Sequence, residues 1–278
     1  MFLGPFLTLA SFLAGNSHTY LAGDATRSPS SSSSLLKNAK TYEICISPGC
    51  VADGADQLLS KMQALAPSHV SVKPGDCCSL CGNGPIVLDG NNKKHRKVND
   101  VKLIELLFGE EGMNSQQQAI LDAFNLVVEA EGFLEKKNYE KAVELYGKGI
   151  ELGNEPATAT AIYPPNDGDD DKEPIPAALQ WLVNARQQEA VAKLSMKDLD
   201  GAVLSAQSAC ELSGNSSLEA LEVLQEAQAA LGDPQGELET LQIYFALPEP
   251  IKMTTMQSNK RRNLGFRLQK LEREQQGK

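Results

Sequence analysis

The chain has few aromatic and histidine residues and lacks long apolar runs. Aromatic residues make up 5% of its 278 residues, with a single Trp, and three His are present. No apolar run reaches the about 20 residues that a membrane-spanning helix needs, which excludes a polytopic membrane protein. The sequence contains no Walker A motif, no H-E-x-x-H and no G-x-S-x-G. These absences argue against a stand-alone enzyme.

The charge of the chain is uneven along its length. The formal net charge is −10, and residues 113–259 hold 24 acidic and nine basic residues, whereas residues 260–278 hold two and seven. An excess of acid argues against nucleic-acid binding over the whole surface, because phosphates need positive charge. The shifts in composition predict four segments. They are a leader at 1–40, a small α/β domain at 41–112, a helical domain at 113–250, and a basic C-terminal helix or tail at 251–278.

Residues 1–40 have the composition of a targeting leader. Phe2–Gly15 is uncharged and mostly apolar, as in a signal peptide, and a Ser-rich, acid-poor stretch follows Arg27. The combination resembles the two-part presequences of plastids acquired by secondary endosymbiosis. We therefore expect a plastid protein whose leader is removed or disordered, and which then contains no integral membrane span. The alternatives are a mitochondrial leader and a plain secretory signal.

Residues 41–112 predict a compact single-sheet α/β unit in the order β-α-β-β-β-α. Thr41–Ile46 alternates weakly and reads as a strand, and apolar residues then recur at helical spacing from Val51 to Leu65. Short strands are expected at Val70–Val72, at Pro85–Leu88 and, after an Asp-Gly turn, at 93–98. Asn99 or Asp100 then caps a helix with Val101, Ile104, Leu107 and Phe108 on one face.

Five of the six cysteines lie in this α/β unit. Cys45 and Cys50 form C-x4-C after the first strand, and Cys77 and Cys81 form C-x3-C before the third, with Cys78 between them. Pro-Gly and Gly-Asn-Gly-Pro turns beside each pair allow backbone N–H groups to approach sulfur closely. Four thiolates that converge from two loops are able to hold a metal ion or an iron–sulfur cluster.

The order strand, C-x4-C, helix, strand, C-x3-C-G-x-G-P, hairpin, helix resembles the thioredoxin-like 2Fe–2S ferredoxins. This family includes the small thioredoxin-like subunit of respiratory complex I. The most specific part is the run from Cys77 to Val87, and the resemblance covers residues 41–112. It implies a thioredoxin-like domain in which Cys45, Cys50, Cys77 and Cys81 ligate a 2Fe–2S cluster. Cys78 is an additional thiol, a possible substitute for Cys77 as a ligand.

Other interpretations of the cysteines remain open at the level of sequence. Paired cysteines at this spacing are compatible with zinc. Cys78 and Cys81 also form a C-x-x-C, which is typical of thiol-disulfide chemistry, and structural disulfides are a further alternative. Cys210 lies apart from the others, on an apolar helical face, and is expected to belong to the core.

Residues 115–247 predict helical hairpins. Ala119–Leu152 reads as two helices broken near Lys137-Asn138, and its order of small and aromatic residues resembles one 34-residue tetratricopeptide repeat. A second unit begins near Pro176, and a third, degenerate unit runs from Ser217 to Leu247. Three units are about the minimum for a stable stack, and such stacks offer a concave surface to a partner protein.

Two charged segments flank these units. Residues 153–176 contain two consecutive Pro and four Asp, without the spacing of a calcium loop, and predict an exposed acidic loop. In the basic tail, Leu264, Leu268 and Leu271 share one helical face. The tail is expected to cap the helical array, the alternatives being contact with a membrane surface or with RNA.

The sequence therefore predicts an α/β thioredoxin-like domain followed by an all-α tetratricopeptide-like helical repeat array. The expected function is electron transfer by a 2Fe–2S cluster, with the repeats recruiting a partner protein in an organelle and no nucleic acid bound. The alternative is a non-enzymatic scaffold or assembly factor with a structural zinc or a lost metal site. A third hypothesis is a thiol oxidoreductase that uses Cys78.

Overall fold

The computed structural model describes residues 40–67, 69–80, 82–161, 177–249 and 253–276. All of them belong to one compact unit, Asn38–Lys278. The predicted leader lies outside this description, except for Lys40, which is the first residue of a strand.

A four-stranded mixed sheet lies near the start of the described chain. Its strands are β1 (Lys40–Cys45), β2 (Val70–Gly75), β3 (Ile86–Asp89) and β4 (Lys94–Arg96), in the order β2-β1-β3-β4. β1 is parallel to β2 and antiparallel to β3, and β3 is antiparallel to β4. The predicted succession of strands and hairpin is confirmed.

The predicted helix between the first two strands is interrupted. It forms α1 (Pro48–Ala52) and α2 (Ala55–Leu65), separated by Asp53 and Gly54. Gly54 has a φ of 85°, a left-handed conformation that glycine adopts without steric cost and that ends a run of helical residues. The apolar spacing did not reveal this break, because Val51 in α1 continues the series although it is 39% exposed, whereas the buried members lie in α2.

One face of the sheet carries the core of the α/β part. Ile44 and Val87 are paired neighbours on β1 and β3, and both are fully buried. α3 (Asp100–Phe108) crosses this face, where Tyr42 Oη donates a hydrogen bond to the carbonyl of Leu106 at 2.6 Å. The helix buries Leu103 and Leu107. The predicted apolar face was wrong in part, because Val101 is 75% exposed.

The rest of the described chain is a helical array of three hairpins and a final helix. The first hairpin is α4 (Ser115–Glu135) with α5 (Tyr139–Ala161), the second α6 (Ala177–Met196) with α7 (Leu199–Leu212), the third α8 (Leu218–Leu231) with α9 (Pro234–Ala246), and α10 (Thr255–Gln276) follows. The predicted breaks within the first and third units are confirmed.

The three hairpins turn in the same way. Lys137, Lys197 and Gly232 each follow the first helix in a left-handed conformation, with φ of 59°, 65° and 79°. Each donates its N–H to the carbonyl three residues earlier, at 2.9 to 3.2 Å. In the second and third hairpins the next residue, Asp198 or Asp233, caps the second helix. The three hairpins therefore share one turn geometry.

The predicted acidic loop is shorter at its start than expected. Residues 153–161 continue α5, and residues 162–176 lie outside the described part of the chain. Gly153 is buried so closely against the Trp181 indole that a Cβ there would clash with the ring, and Ala157 is fully buried. The prediction was wrong here because the helix is held by packing on α6, despite Pro156 in its interior.

The α/β part and the first two hairpins share a hydrophobic core. α2 packs against α4 and α6. Lys61 of α2 donates hydrogen bonds to Asp100 of α3 at 2.9 Å and to Asn125 of α4 at 2.7 Å, and Asn125 donates to Asp100 at 3.2 Å. Three elements from the two parts of the chain are therefore joined by one polar cluster.

The basic C-terminal segment forms α10, which packs against α9 and buries Leu264 and Leu271. Several of its cations pair with the acidic array, including Lys260 with Glu222 at 2.6 Å. Within the described ranges, no helix has the length and apolar character needed to span a membrane.

Candidate functional site

The topology of the sheet brings the two cysteine loops together. Cys45 is the last residue of β1 and is paired with Gly75, the last residue of β2. Because these strands are parallel, their carboxyl ends meet at the same edge, where the loops that follow them lie side by side. The loop after β1 carries Cys50, at the third position of α1, and the loop after β2 carries the remaining cysteines of the α/β part.

Cys45 is the most strongly perturbed thiol of the site. Its side chain is 1% exposed, and its Sγ lies 3.3 Å from Ser47 Oγ. Burial acts to raise its pKa, but hydrogen bonds from the Ser47 side chain, the backbone N–H groups of Ser47 and Cys78, and the Cys50 thiol lower the pKa to about 6. The surroundings of Cys45 thus favour a thiolate.

Of the two described cysteines of the second loop, Cys78 interacts with Cys45. It is half-buried, and its pKa is raised by burial and then by the nearby charge and hydrogen bond of Cys45. Its Sγ donates to the Asp76 carbonyl at 3.7 Å, and Lys94 Nζ donates to the Cys78 carbonyl at 3.1 Å. Cys77, by contrast, is exposed.

The predicted ligands therefore differ in their placement. The structure places Cys45, Cys50 and Cys78 near enough to one another for their charges or hydrogen bonds to shift the pKa of Cys45 and of Cys78, and it leaves Cys77 exposed. Cys81 lies outside the described residues. Among the residues that are described, no group of three or more His, Cys, Asp and Glu side chains is arranged so that it could hold a metal ion. Thiolates are the ligands of iron–sulfur clusters and of many structural zinc sites, so the chemistry of the three thiols suits either group.

A glycine ties the second loop to the first. Gly84 donates its N–H to Oδ2 of Asp53, a residue between α1 and α2, at a distance of 3.2 Å. A Cβ at this position would lie 2.9 Å from the same oxygen and 3.2 Å from the Cα of Cys50. The close approach of the loops at the cysteines therefore requires glycine here. The following peptide bond, Gly84–Pro85, is cis.

Lys94 is a site residue that the sequence analysis missed. It lies on β4, and its Nζ donates a hydrogen bond to the backbone carbonyl of Cys78 at 3.1 Å. The available signal was the basic run at 93–97, where four of five residues are Lys or Arg. At the level of sequence, this run predicts only a strand.

Cys210 and the helical array lie apart from the cysteine loops. Cys210 is 2% exposed in the core of the array, and burial raises its pKa to about 11, as expected for a core residue. The face of α4 and α6 that contacts α2 belongs to the shared core of the molecule, so that part of the array is covered by the chain itself.

No protein-family model matches the chain, and no curated protein is similar enough to it to be reported as a relative.

Proposed function

We propose that this protein is an electron-transfer protein that holds a 2Fe–2S cluster between the loops that follow β1 and β2. The observation that carries the proposal is the interaction of Cys45, Cys50 and Cys78 at one edge of the sheet. Cys81, three residues beyond Cys78, is proposed as the fourth ligand. Cys78 rather than Cys77 is favoured because Cys77 is exposed, whereas the charge and hydrogen bond of Cys45 raise the pKa of Cys78.

The α/β part is proposed to be a thioredoxin-like domain of the ferredoxin type. Its order of strand, helix, strand, hairpin and helix is the one that the resemblance implies, and its two cysteine loops leave neighbouring parallel strands. The three hairpins with one repeated turn support a tetratricopeptide-like array. The array supports the α/β domain through α2, and its remaining surface is proposed to recruit a partner protein.

When bound, a 2Fe–2S cluster accepts or gives up one electron at a time. The chain contributes the surroundings that set its potential. The backbone N–H groups of Ser47 and Cys78 donate to Cys45, and hydrogen bonds to cluster sulfur are a principal means of tuning potential. Cys45 and Cys50 are each 1% exposed, so water is kept from one side of the site, while the exposed Cys77 marks the side open to solvent.

The second candidate function is a scaffold or assembly factor with a structural zinc at the same cysteines. The contact of α2 with α4 and the Lys61 cluster favour it, because they join both parts of the chain into one body. Zinc has no redox chemistry. A reversible one-electron wave in a redox titration therefore distinguishes the carrier from the scaffold.

The test is a visible absorption spectrum with iron, sulfide and zinc analysis of the full chain purified without oxygen. The proposal expects a brown protein with one 2Fe–2S cluster per chain. Separate Ser replacements of Cys45, Cys50, Cys78 and Cys81 should each lower iron and sulfide, whereas Cys77→Ser and Cys210→Ser should retain both. Colourless protein that contains zinc, or no metal after anaerobic reconstitution, contradicts electron transfer.

The location of the protein is a separate proposal. The leader composition supports import into a plastid. Expression of residues 1–40 in front of a fluorescent protein, in a cell with such a plastid, tests this. Fluorescence confined to mitochondria or to the secretory pathway would contradict it.

A further inference from the structure

We propose that Lys93, Lys94, Arg96 and Lys97, here named the basic edge, form the docking surface for an acidic one-electron redox protein. The inference rests on the proposed function, since it names the class of protein that exchanges electrons with the cysteine site. It adds a surface and a chemistry of recognition that the cysteines alone do not provide.

The basic edge lies on an outer strand of the sheet. β4 is the last strand in the order β2-β1-β3-β4, so one side of it has no neighbouring strand among the described residues. His95 is 9% exposed, whereas Lys94 and Arg96 on either side of it are exposed, as the alternation of a strand requires. Lys93 and Lys97 at its two ends are also exposed. Four cations are thus presented to solvent over five consecutive residues.

The basic edge is continuous with the cysteine site. Lys94 Nζ lies 3.1 Å from the carbonyl oxygen of Cys78. Ile46 and Val51, which directly follow Cys45 and Cys50 in the chain, are 45% and 39% exposed. An apolar centre with a charged rim is the usual composition of a small transient interface. A protein that binds the basic edge is therefore held beside the thiols.

No described residue forms an ion pair with a cation of the basic edge, because no carboxylate among these residues lies within 4.0 Å of any of the four. The cations of α10 differ, because Lys260 and Arg267 pair with Glu222 and Glu237 of the array. Unpaired positive charge at one edge attracts an acidic protein over a distance of about 10 Å at moderate salt.

The uneven distribution of charge along the chain orients an approaching acidic protein. The basic edge contains four of the seven bases in residues 43–112, and residues 113–278, which include α10, carry an excess of 10 negative charges. An acidic protein is repelled by the array and attracted to the basic edge. Such a charge asymmetry orients the encounter and raises its rate more than it raises the final affinity.

Lys and Arg on an outer strand also prevent sheets from pairing edge to edge. That role alone predicts no effect of the basic edge on a soluble acidic protein.

In the proposed exchange, one electron leaves the reduced acidic protein and enters the oxidised site, and no bond is made or broken.

The experiment measures association and electron exchange with an acidic plant-type ferredoxin as the probe. The test variant is Lys93→Gln/Arg96→Gln/Lys97→Gln, which leaves the contact of Lys94 with Cys78 in place. The matched control is Lys136→Gln/Lys137→Gln/Lys197→Gln, which removes the same charge from exposed turns of the array. Association is measured by fluorescence anisotropy of labelled probe, and electron exchange by stopped-flow absorbance, both at several salt concentrations.

We expect association and exchange to weaken about tenfold in the test variant at low salt and to change little in the control. The wild-type dependence on salt should flatten in the test variant. Equal effects in both variants, or no dependence on salt, would overturn the docking surface. Stronger binding of a single-stranded oligouridine than of the ferredoxin, lost in the same variant, would also overturn it, in favour of RNA. If the protein proves to hold no cluster, the proposed function fails, while the anisotropy still decides whether the basic edge binds acidic protein.

Discussion

Arg267 of α10 binds both carboxylate oxygens of Glu237 in α9, from Nε at 2.7 Å and from the terminal nitrogen at 2.5 Å. Glu237 is fully buried, and Gln225 of α8 donates to the same carboxylate at 2.7 Å. The guanidinium is 37% exposed, so the pair closes the end of the array from the solvent side. The final helix is therefore attached by a charged contact as well as by its leucines.

The position of Glu237 is occupied by alanine in the other two hairpins. Counted from the left-handed turn residue, Gln225 and Glu237 correspond to Ala130 and Ala142 in the first hairpin, and to alanines at 190 and 202 in the second. All four alanines are fully buried. The third hairpin thus replaces a close apolar contact by a hydrogen-bonded Gln–Glu pair, and Arg267 of α10 supplies a cation to its carboxylate.

Loss of Arg267 should destabilise the array strongly. Arg267→Ala leaves a buried carboxylate without its cation and is expected to lower the free energy of unfolding by about 3 kcal/mol. Gln225→Ala/Glu237→Ala/Arg267→Leu restores the alanine pair of the other hairpins and should recover most of that loss. Urea unfolding followed by circular dichroism measures both. Lys270→Ala, which removes an exposed pair at 3.8 Å, is the control and should cost less than about 0.5 kcal/mol. Equal losses for Arg267 and Lys270 would refute the role of the pair.

Replacing the two lysines at the hairpin turns by glycine should stabilise the protein. Lys137 and Lys197 hold the left-handed conformation that Gly232 holds in the third hairpin, at a steric cost that glycine avoids. Lys137→Gly and Lys197→Gly should each raise the free energy of unfolding by about 0.5–1 kcal/mol. Lys136→Gly is the control, because Lys136 has a φ of −78° and glycine there only adds freedom to the unfolded chain. A loss of stability in all three variants would show that the turns are not strained.

The sequence predicted the order of elements because that order depends on local signals. Apolar spacing, Asn99 as a helix cap and Gly232-Asp233-Pro234 as a turn act within a few residues of chain. The errors arose where contacts distant in sequence decide. α5 extends to Ala161 because Gly153 packs on Trp181, which no local pattern at 153 indicates.

The same contrast between local signals and contacts distant in sequence applies to the candidate site. The spacing of Cys45 and Cys50 after a strand was sufficient to identify the first loop. The choice between Cys77 and Cys78 depends on which thiol faces Cys45 across two parallel strands, and adjacent residues in a loop have no periodicity that would tell them apart. Lys94 joins the site only because β4 closes the sheet beside β3, which is a property of the topology.

Gly84 should be required for the cysteine loops to approach each other. In Gly84→Ala the new Cβ would lie 2.9 Å from Asp53 Oδ2, so one loop must move away, at a cost of about 1–3 kcal/mol. Under the proposed function, iron and sulfide per chain should fall while the helical circular dichroism signal remains. Gly90→Ala is the control, because its Cβ would meet only the Thr41 carbonyl oxygen, at 3.8 Å. Full cluster content in Gly84→Ala would contradict the requirement.

Lys61 should contribute more to stability than an exposed lysine in a similar ion pair. The Lys61 side chain is 13% exposed and donates hydrogen bonds to both Asp100 and Asn125. Lys73, by contrast, forms an ion pair with Glu43 in which both side chains are about half exposed. Lys61→Ala is expected to cost about 2 kcal/mol, since it leaves partly buried polar groups without a donor. Lys73→Ala should cost less than about 1 kcal/mol. Denaturant unfolding that gives the same loss for both would show that the Lys61 cluster does not hold α2 against α4.

Glu131 should make the contact of α2 with α4 sensitive to pH. Its pKa is raised by burial and by repulsion from Asp56 and Glu135, against a hydrogen bond from Gln57 that lowers it. A carboxyl group with a raised pKa in the folded protein is penalised when ionised, so its contribution to stability is greatest in acid and is lost as pH rises through the folded pKa. Glu131→Gln should therefore stabilise the protein at pH 7, and the gain should disappear below the ordinary carboxyl pKa of 4.5.

Glu144 provides a control of opposite sign for this prediction. Hydrogen bonds from Lys141 and Lys148 lower the pKa of Glu144 to about 2. Its ionised form is favoured in the folded protein, so the stability it contributes is present above pH 4.5 and is lost as pH falls toward 2. Glu144→Gln should therefore destabilise the protein at pH 7, and the loss should shrink on acidification. The free energy of unfolding of both variants and the wild type, measured in urea from pH 7 to pH 3, tests the pair. If the two pKa shifts have opposite signs, the free energies of unfolding of Glu131→Gln and Glu144→Gln lie on opposite sides of the wild-type value at pH 7 and converge on it as the pH falls. Curves of free energy against pH that run parallel to each other for the two variants would refute the assignment of opposite environments.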